Sequence, residues 1–174
     1  MTYDRAKLAR EIARDEGDKL KVYRCTAGKL SIGKGRNLED VGISAEETRI
    51  LGITKASAIA KGITQAQSDA LFVNDIQRSE ADLDRKLPWW RKLDPVRQRV
   101  LLNMCFNMGI GRAPDKARGI DGRGLLAFVN TLPKIERGDY AGAAAGMKAS
   151  KWHDQVGARA VRLELMMATG KDAT

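Results

Sequence analysis

Glu16 carries the chemistry most plainly written in this chain. Leu8 and Ile12, with Ala6, Ala9 and Ala13, form an apolar stripe at helical spacing, and Gly17 stands where a helix commonly ends in a left-handed residue. The spacing predicts a helix that closes on Glu16. A carboxylate there faces the negative end of the helix dipole, which disfavours the anion and suits a proton donor working near neutral pH. Most glutamates at helix ends are simply solvated, so position alone does not establish a role. The setting comes from residues 15–38, DEGDKLKVYRCTAGKLSIGKGRNL, which read as short strands punctuated by glycine and suggest one wall of a cleft. A thiol, Cys25, and a hydroxyl, Ser31, lie on those strands. A thiol is mostly protonated at neutral pH and acts as base or nucleophile only where positive surroundings draw off its proton; Arg24 is such a neighbour. The bland alternative for Cys25 is a small side chain filling space. A serine hydroxyl both donates and accepts, so Ser31 can hold a water; an idle strand serine is its alternative.

The elements that must hold these groups are mostly helical. Residues 19–38 alternate and break at Ala27-Gly28 and at Gly33 and Gly35, which predicts a three-stranded antiparallel sheet. Ser44-Ala45-Glu46-Glu47 has the form of a capping box opening a short helix toward Leu51. Thr64-Gln65-Ala66-Gln67 offers a second box, and Ala70, Leu71, Ile76 and Leu83 carry a long helix toward Leu87-Pro88 that links two lobes. Asp94-Pro95 caps a central helix whose apolar face is Val96, Val100, Leu101, Met104 and Met108. Shorter helices are predicted over 124–130, 133–137, 140–149 and 158–168, with caps or breakers at Thr131, Asp139 and Gly157. Residues 171–174 read as a frayed end, and Arg112 to Arg123, rich in Gly, Arg and Asp, as a surface loop. The expected fold is α+β and predominantly helical.

With 174 residues, 43% of them hydrophobic and 30% charged, the chain suits one domain with a sizeable core. It carries 31 Lys and Arg against 22 Asp and Glu, a formal charge of +9 spread along its length, which points to a polyanionic partner. The few aromatics are not interleaved with the basic residues as a nucleic-acid stacking platform requires, so bacterial wall, with its carboxylates and phosphates, fits better than nucleic acid. Residues 1–14 alternate charge and alanine and hold no apolar run, so neither a signal peptide nor a membrane insertion is expected. Two cysteines suit free thiols in a reducing compartment; with one histidine and no paired Cys motif, no metal site is expected. Cys105 reads as core and His153 as a surface residue.

The arrangement resembles the lysozyme-endolysins of the T-even phage type, glycoside hydrolase family twenty-four. The resemblance rests on Glu16-Gly17, Tyr23, Cys25, Ser31 and Ile32-Gly33-Lys34-Gly35, and continues through Leu71-Phe72, Asp75, residues 103–109, Phe128, Asn130-Thr131, Ser150-Lys151-Trp152, Arg159-Ala160 and Arg162. It covers nearly the whole chain. Two departures stand out: the family's frequent Asp is Cys25 here, and the His after its Ile-Gly-x-Gly is Arg36, which can still pair with Asp75.

What the resemblance implies is a two-lobed fold in a single catalytic domain over 1–174: a small sheet-bearing lobe near 15–65, and a helical lobe near 66–170 joined by helix 1–14. The sugar chain would lie between them. The implied activity is that of an endolysin hydrolysing the β-1,4 bond between N-acetylmuramic acid and N-acetylglucosamine. Cleaving such a bond takes a proton for the departing oxygen and a group to meet the oxocarbenium-like centre. Glu16 would be the acid, Cys25 and Ser31 would hold the attacking water, and Arg159 would stand as the cation near the acid. Asn37, Phe106, Asn107 and Thr131 occupy sugar-contact positions; at another, where the family has an amide, this chain has Gly146. Trp89 and Trp90 could stack on sugars, but read more simply as a turn packed on the helical lobe. No cofactor or metal is needed. A monomer is implied, made in the host cytoplasm, with peptidoglycan glycan strands as partner and a holin to release it to the wall. The missing carboxylate at position 25 leaves two alternatives open: a lytic transglycosylase using Glu16 alone, and a wall-binding protein without catalysis.

Overall fold

A computed structural model describes residues 2–25 and 28–173, so the expected break at Ala27 lies outside the described residues. The chain divides into two compact units, one of residues 9–78 and one of residues 1–8 with 79–174. Helix α1 (Arg5–Glu16) and the 22-residue helix α4 (Gln65–Lys86) carry the chain from one unit to the other.

In the unit of residues 9–78, α1 stops as its sequence predicts. Gly17 takes φ +70° and its N–H returns to the Ala13 carbonyl at 3.0 Å. Strands β1 (Lys19–Arg24), β2 (Leu30–Gly33) and β3 (Arg36–Asn37) then form an antiparallel sheet in that order. Ile32, Leu38, Ile53, Ala58, Ile63 and Leu71 make the buried core, with Leu20, Val22 and Leu30 packed against it. Two short helices close this core, α2 (Ala45–Leu51) and α3 (Lys55–Lys61). The predicted box at Ser44 and Glu47 is present. So is a box at Thr54 that the sequence reading missed, because Ser57 returns the bond where the usual pattern has Glu or Gln.

The core of this unit also holds a buried cation. Arg36 donates to both Glu47 oxygens at 2.7 and 2.9 Å, to Asp75 Oδ2 at 2.8 Å, and to the Gly42 and Leu71 carbonyls at 3.0 Å. The pairing with Asp75 is the expected one, and Glu47 is an additional partner. Burial acts to raise the Glu47 carboxyl, but bonds from Arg36, the Ser44 N–H and Asn74 outweigh it and hold its pKa at about 2.

The other unit is built on helix α5 (Pro95–Met108), capped by Asp94, which accepts from the Val96 and Arg97 N–H groups. The predicted single apolar face is an underestimate, since every residue from Gln98 to Cys105 is buried. Gln98 tolerates this by donating to the Leu93 carbonyl at 2.8 Å, and Arg99 by pairing with Asp172. Helices α6 (Leu132–Glu136), α7 (Tyr140–Lys148), α8 (Lys151–Val156) and α9 (Ala158–Thr169) follow, with α9 packed on α5, α7 and α8. Helix α8, capped by Ser150, was not anticipated. Residues 124–130 are not a helix; they form only a 3-10 turn over Leu125–Ala127.

Other expectations are met or corrected here as well. The segment from Arg112 to Arg123 is the surface loop expected, mostly exposed and drawn together by two isolated backbone pairs, Arg112–Arg123 and Asp115–Ile120. The expected frayed end is held at Asp172, which pairs with both Lys7 and Arg99, while Thr174 lies outside the described residues. His153 is half-buried, its Nδ1 2.6 Å from Glu164 Oε1. Trp90 is fully buried near Tyr3, with its indole N–H on Asp84 at 2.8 Å, so the tryptophan pair is structural at that position. Cys105 is core as expected, and burial pushes its thiol up to about 12.

Candidate active site

Sheet register decides which side chains can act together. In an antiparallel ladder, directly opposed residues project from the same face, and alternate residues project from opposite faces. Tyr23 is opposed to Ser31 and Ser31 to Asn37, so these three share one face. Cys25 lies two residues beyond Tyr23, and its N–H donates to the Lys29 carbonyl at 2.9 Å, which extends the ladder one rung past β1. Cys25 therefore falls on the Tyr23 and Ser31 face, while Leu20, Val22, Leu30 and Ile32 serve the core on the other. The Cys25 thiol is half-buried and free; Ser31 is buried, with its Oγ 3.4 Å from the Lys29 carbonyl.

Glu16 meets the sheet at the turn between β2 and β3. A Cβ placed on Gly35 would lie 2.9 Å from Glu16 Oε2 and 3.2 Å from its Cδ, so the carboxyl group rests directly on the Gly35 backbone. Tyr23 stands beside it. Burial raises the Tyr23 phenol above its ordinary value, and the nearby Glu16 and Cys25 charges raise it further, against a bond from the Gly35 amide. The Tyr23 hydroxyl thus stays protonated and keeps an O–H to donate. The sequence reading gave Tyr23 and Gly35 no role. Period-two spacing from Cys25 was the available signal for Tyr23; nothing in the local sequence announces the approach of Glu16 to Gly35.

Asn37 is largely committed to its own turn. Its Oδ1 accepts from the Glu39 and Asp40 N–H groups at 2.8 and 2.9 Å, and its Nδ2 donates to Asp40 at 3.0 Å. What it offers a ligand is its second amide N–H.

The remaining predicted residues belong to the helical unit. Arg159 is buried on α9, its Nε donating to Asn103 Oδ1 at 2.8 Å and a terminal nitrogen reaching the Asn103 carbonyl at 3.4 Å. Asn103, fully buried in α5, thus fixes the guanidinium, a function absent from the sequence reading. Phe106 and Asn107 occupy the last turn of α5, and Asn107 Oδ1 accepts from the Trp152 indole at 2.9 Å. Trp152 in turn meets Phe128 edge-on, ring centroids 6.2 Å apart. Thr131 stands at the N-cap position of α6, as expected, but makes no capping bond with its side chain. Its hydroxyl instead fills the space beside Gly146, where a Cβ would lie 2.5 Å from Thr131 Oγ1. Gly146, at the position where the resemblance implies an amide, thereby makes room for the threonine.

Chemically, the first unit assembles one carboxyl group, one phenol that stays protonated, one free thiol and one hydroxyl. Among the described residues no cluster of three or more His, Cys, Asp or Glu could hold a metal ion, and no helix is long and apolar enough to cross a membrane.

Comparison with known proteins supplies the context for this set. The chain is 28% identical over 165 residues to probable T4-type lysozyme 1 of Dictyostelium discoideum and 27% identical over 165 residues to probable T4-type lysozyme 2, covering 90% of itself and 90% of each relative. It is 29% identical over 171 residues to the pre-baseplate central spike protein Gp5 of Enterobacteria phage T4, spanning 94% of itself but 28% of that longer protein. The model of the phage lysozyme family matches residues 13–165. That match runs from the last turn of α1 through most of α9 and takes in every residue of the sheet, so the chain belongs to the phage lysozyme family and is a glycoside hydrolase of the lysozyme type.

Proposed function

We propose that the protein is a peptidoglycan muramidase that hydrolyses the β-1,4 bond from N-acetylmuramic acid to N-acetylglucosamine, with Glu16 as the acid. One observation carries the reading: Glu16 is seated on the Gly35 backbone, in the same unit as a sheet face bearing Tyr23, Cys25 and Ser31. Protonation of the departing oxygen comes from the Glu16 carboxyl. Water held by Cys25 and Ser31 attacks the anomeric carbon from the opposite side of the ring, which inverts its configuration. Arg159, Phe106, Asn107, Thr131 and Asn37 are assigned as supporting and sugar-contact residues through the family resemblance. Release to the wall through a holin and a part in host lysis belong to the same reading, and the +9 charge supports attraction to an anionic wall.

The role of the thiol is tested by Cys25→Asp and Cys25→Ser on purified wall. If position 25 activates or orients the water, the carboxylate variant keeps or exceeds wild-type turnover, whereas Cys25→Ser falls about a hundredfold, the lower end of what a lost general base costs. Equal activity in the two variants would make the sulfur a bystander.

A further inference from the structure

The turn between β2 and β3 is fastened to the turn that ends α1 by a set of contacts lying wholly within residues 9–78. Lys34 pairs with Asp18 at 2.8 Å and with Asp69, and its side chain is only 12% exposed. Asp18, two residues beyond Glu16, also accepts from Ser68 Oγ at 2.7 Å and Gln65 Nε2 at 2.6 Å. Burial would raise the Asp18 carboxyl, but these donors together hold it below its ordinary value, so it remains an anion for Lys34 to grip. The Ser68 hydroxyl reaches Asp18 because Gly33 leaves it space: a Cβ there would lie 2.7 Å from Ser68 Oγ. Gly35 makes the corresponding space for Glu16, with Oε2 at 2.9 Å from its virtual Cβ. Both glycines have positive φ, +62° and +85°, so the turn itself calls for glycine and neither contact leaves room for a substituent.

We propose that Gly33-Lys34-Gly35 is a positioning clasp for the Glu16 carboxyl group, in which Lys34 locks the turn to Asp18 and Gly35 presents bare backbone as the seat of the acid. The inference rests on Glu16 being the acid. A proton donor must approach the glycosidic oxygen within hydrogen-bond reach, and rates fall steeply when it is displaced by even an ångström. The clasp sets that position from the side of the chain that the acid's own helix cannot control, since α1 ends at Glu16.

The test uses the full chain and measures kcat and KM on soluble wall fragments, alongside the thermal midpoint. Gly35→Ala is expected to lower kcat about a hundredfold with KM within about twofold, the signature of a displaced reacting group. Gly52→Ala is the control: Gly52 has φ +65° and nothing within 4 Å of its virtual Cβ, so it carries the backbone strain without the contact and should keep wild-type kcat. Lys34→Met should lower kcat at least about tenfold, and Lys34→Arg should restore most of it, because a second cation can hold Asp18. Should Gly35→Ala fail to fold, the Lys34 pair of variants decides. Wild-type kcat in folded Gly35→Ala, or in Lys34→Met, would overturn the clasp. Glu16→Gln separates the two ideas: if it is inactive while Gly35→Ala is fully active, only the clasp fails, and if Glu16→Gln is itself active, the assignment of the acid fails.

Discussion

Replacing Glu16 by Gln is expected to lower wall hydrolysis by about 10²–10⁴-fold while leaving the fold intact, the range that loss of a positioned general acid produces. The substitution keeps the shape of the side chain and removes the transferable proton together with the group's ability to carry a negative charge. Gln matches Glu in size beside Gly35, and Glu16 stands at a helix terminus outside the buried core. A thermal midpoint within a few degrees of wild type is therefore expected with the loss of activity. The Tyr23 phenol does not replace it: burial, the largest cause of its raised pKa, persists when the Glu16 charge is removed, so it stays too weak an acid to protonate a departing sugar oxygen at neutral pH. Substantial activity in a folded Glu16→Gln variant would remove the acid from the mechanism.

The second large effect is on stability. Arg36→Met should cost about 3–5 kcal/mol, the penalty for stripping the partner from a buried ion pair, and lower the thermal midpoint by roughly 10 °C. Arg36 serves two carboxylates and two carbonyls at once, so its loss takes the buried cation from Glu47 and Asp75, which keep weaker partners in Ser44, Asn74 and Arg78, and removes a donor from the Gly42 and Leu71 oxygens. The Glu47 carboxyl, held at about 2 in the folded protein against 4.5 for the free group, adds a pH signature. Its folded pKa is depressed, so its contribution is complete above the unfolded value and fades as pH falls from about 5 toward 2. In Arg36→Met that part of the acid dependence should shrink. Because the two residues share one network, Arg36→Met with Glu47→Gln should be less destabilised than the two single changes summed. Denaturant melts at neutral pH check all of this, and a loss below 1 kcal/mol for Arg36→Met would contradict the account.

What the sequence made legible follows from the range over which each signal acts. The end of α1 at Glu16-Gly17, the Ser44-Glu47 box and the Asp94 cap are set by residues within four of one another, and the structure places each as read. Residues 124–130 were overread: three residues take a 3-10 turn, and the segment is occupied by backbone bonds from Leu125 and Leu126 to Gly109 and Ile110. The all-round burial of α5 was hidden because Gln98 and Arg99 look like surface residues until their distant partners are known. In the site, Cys25 and Ser31 could be named from the resemblance, but their shared face with Tyr23 depends on the register of β1 against β2. The approach of Glu16 to Gly35 joins positions nineteen residues apart through a turn, a distance no local sequence signal spans.

The central claim is that Glu16 protonates the leaving sugar and a water completes the cleavage. Digestion of purified peptidoglycan in heavy-oxygen water, with mass spectrometry of the fragments, measures this directly. The account predicts reducing muramic acid ends, each carrying a heavy oxygen from the solvent, in amounts that fall to background with Glu16→Gln. Anhydro-muramic ends without solvent oxygen would contradict it, since the sugar's own hydroxyl would then have taken the place of water.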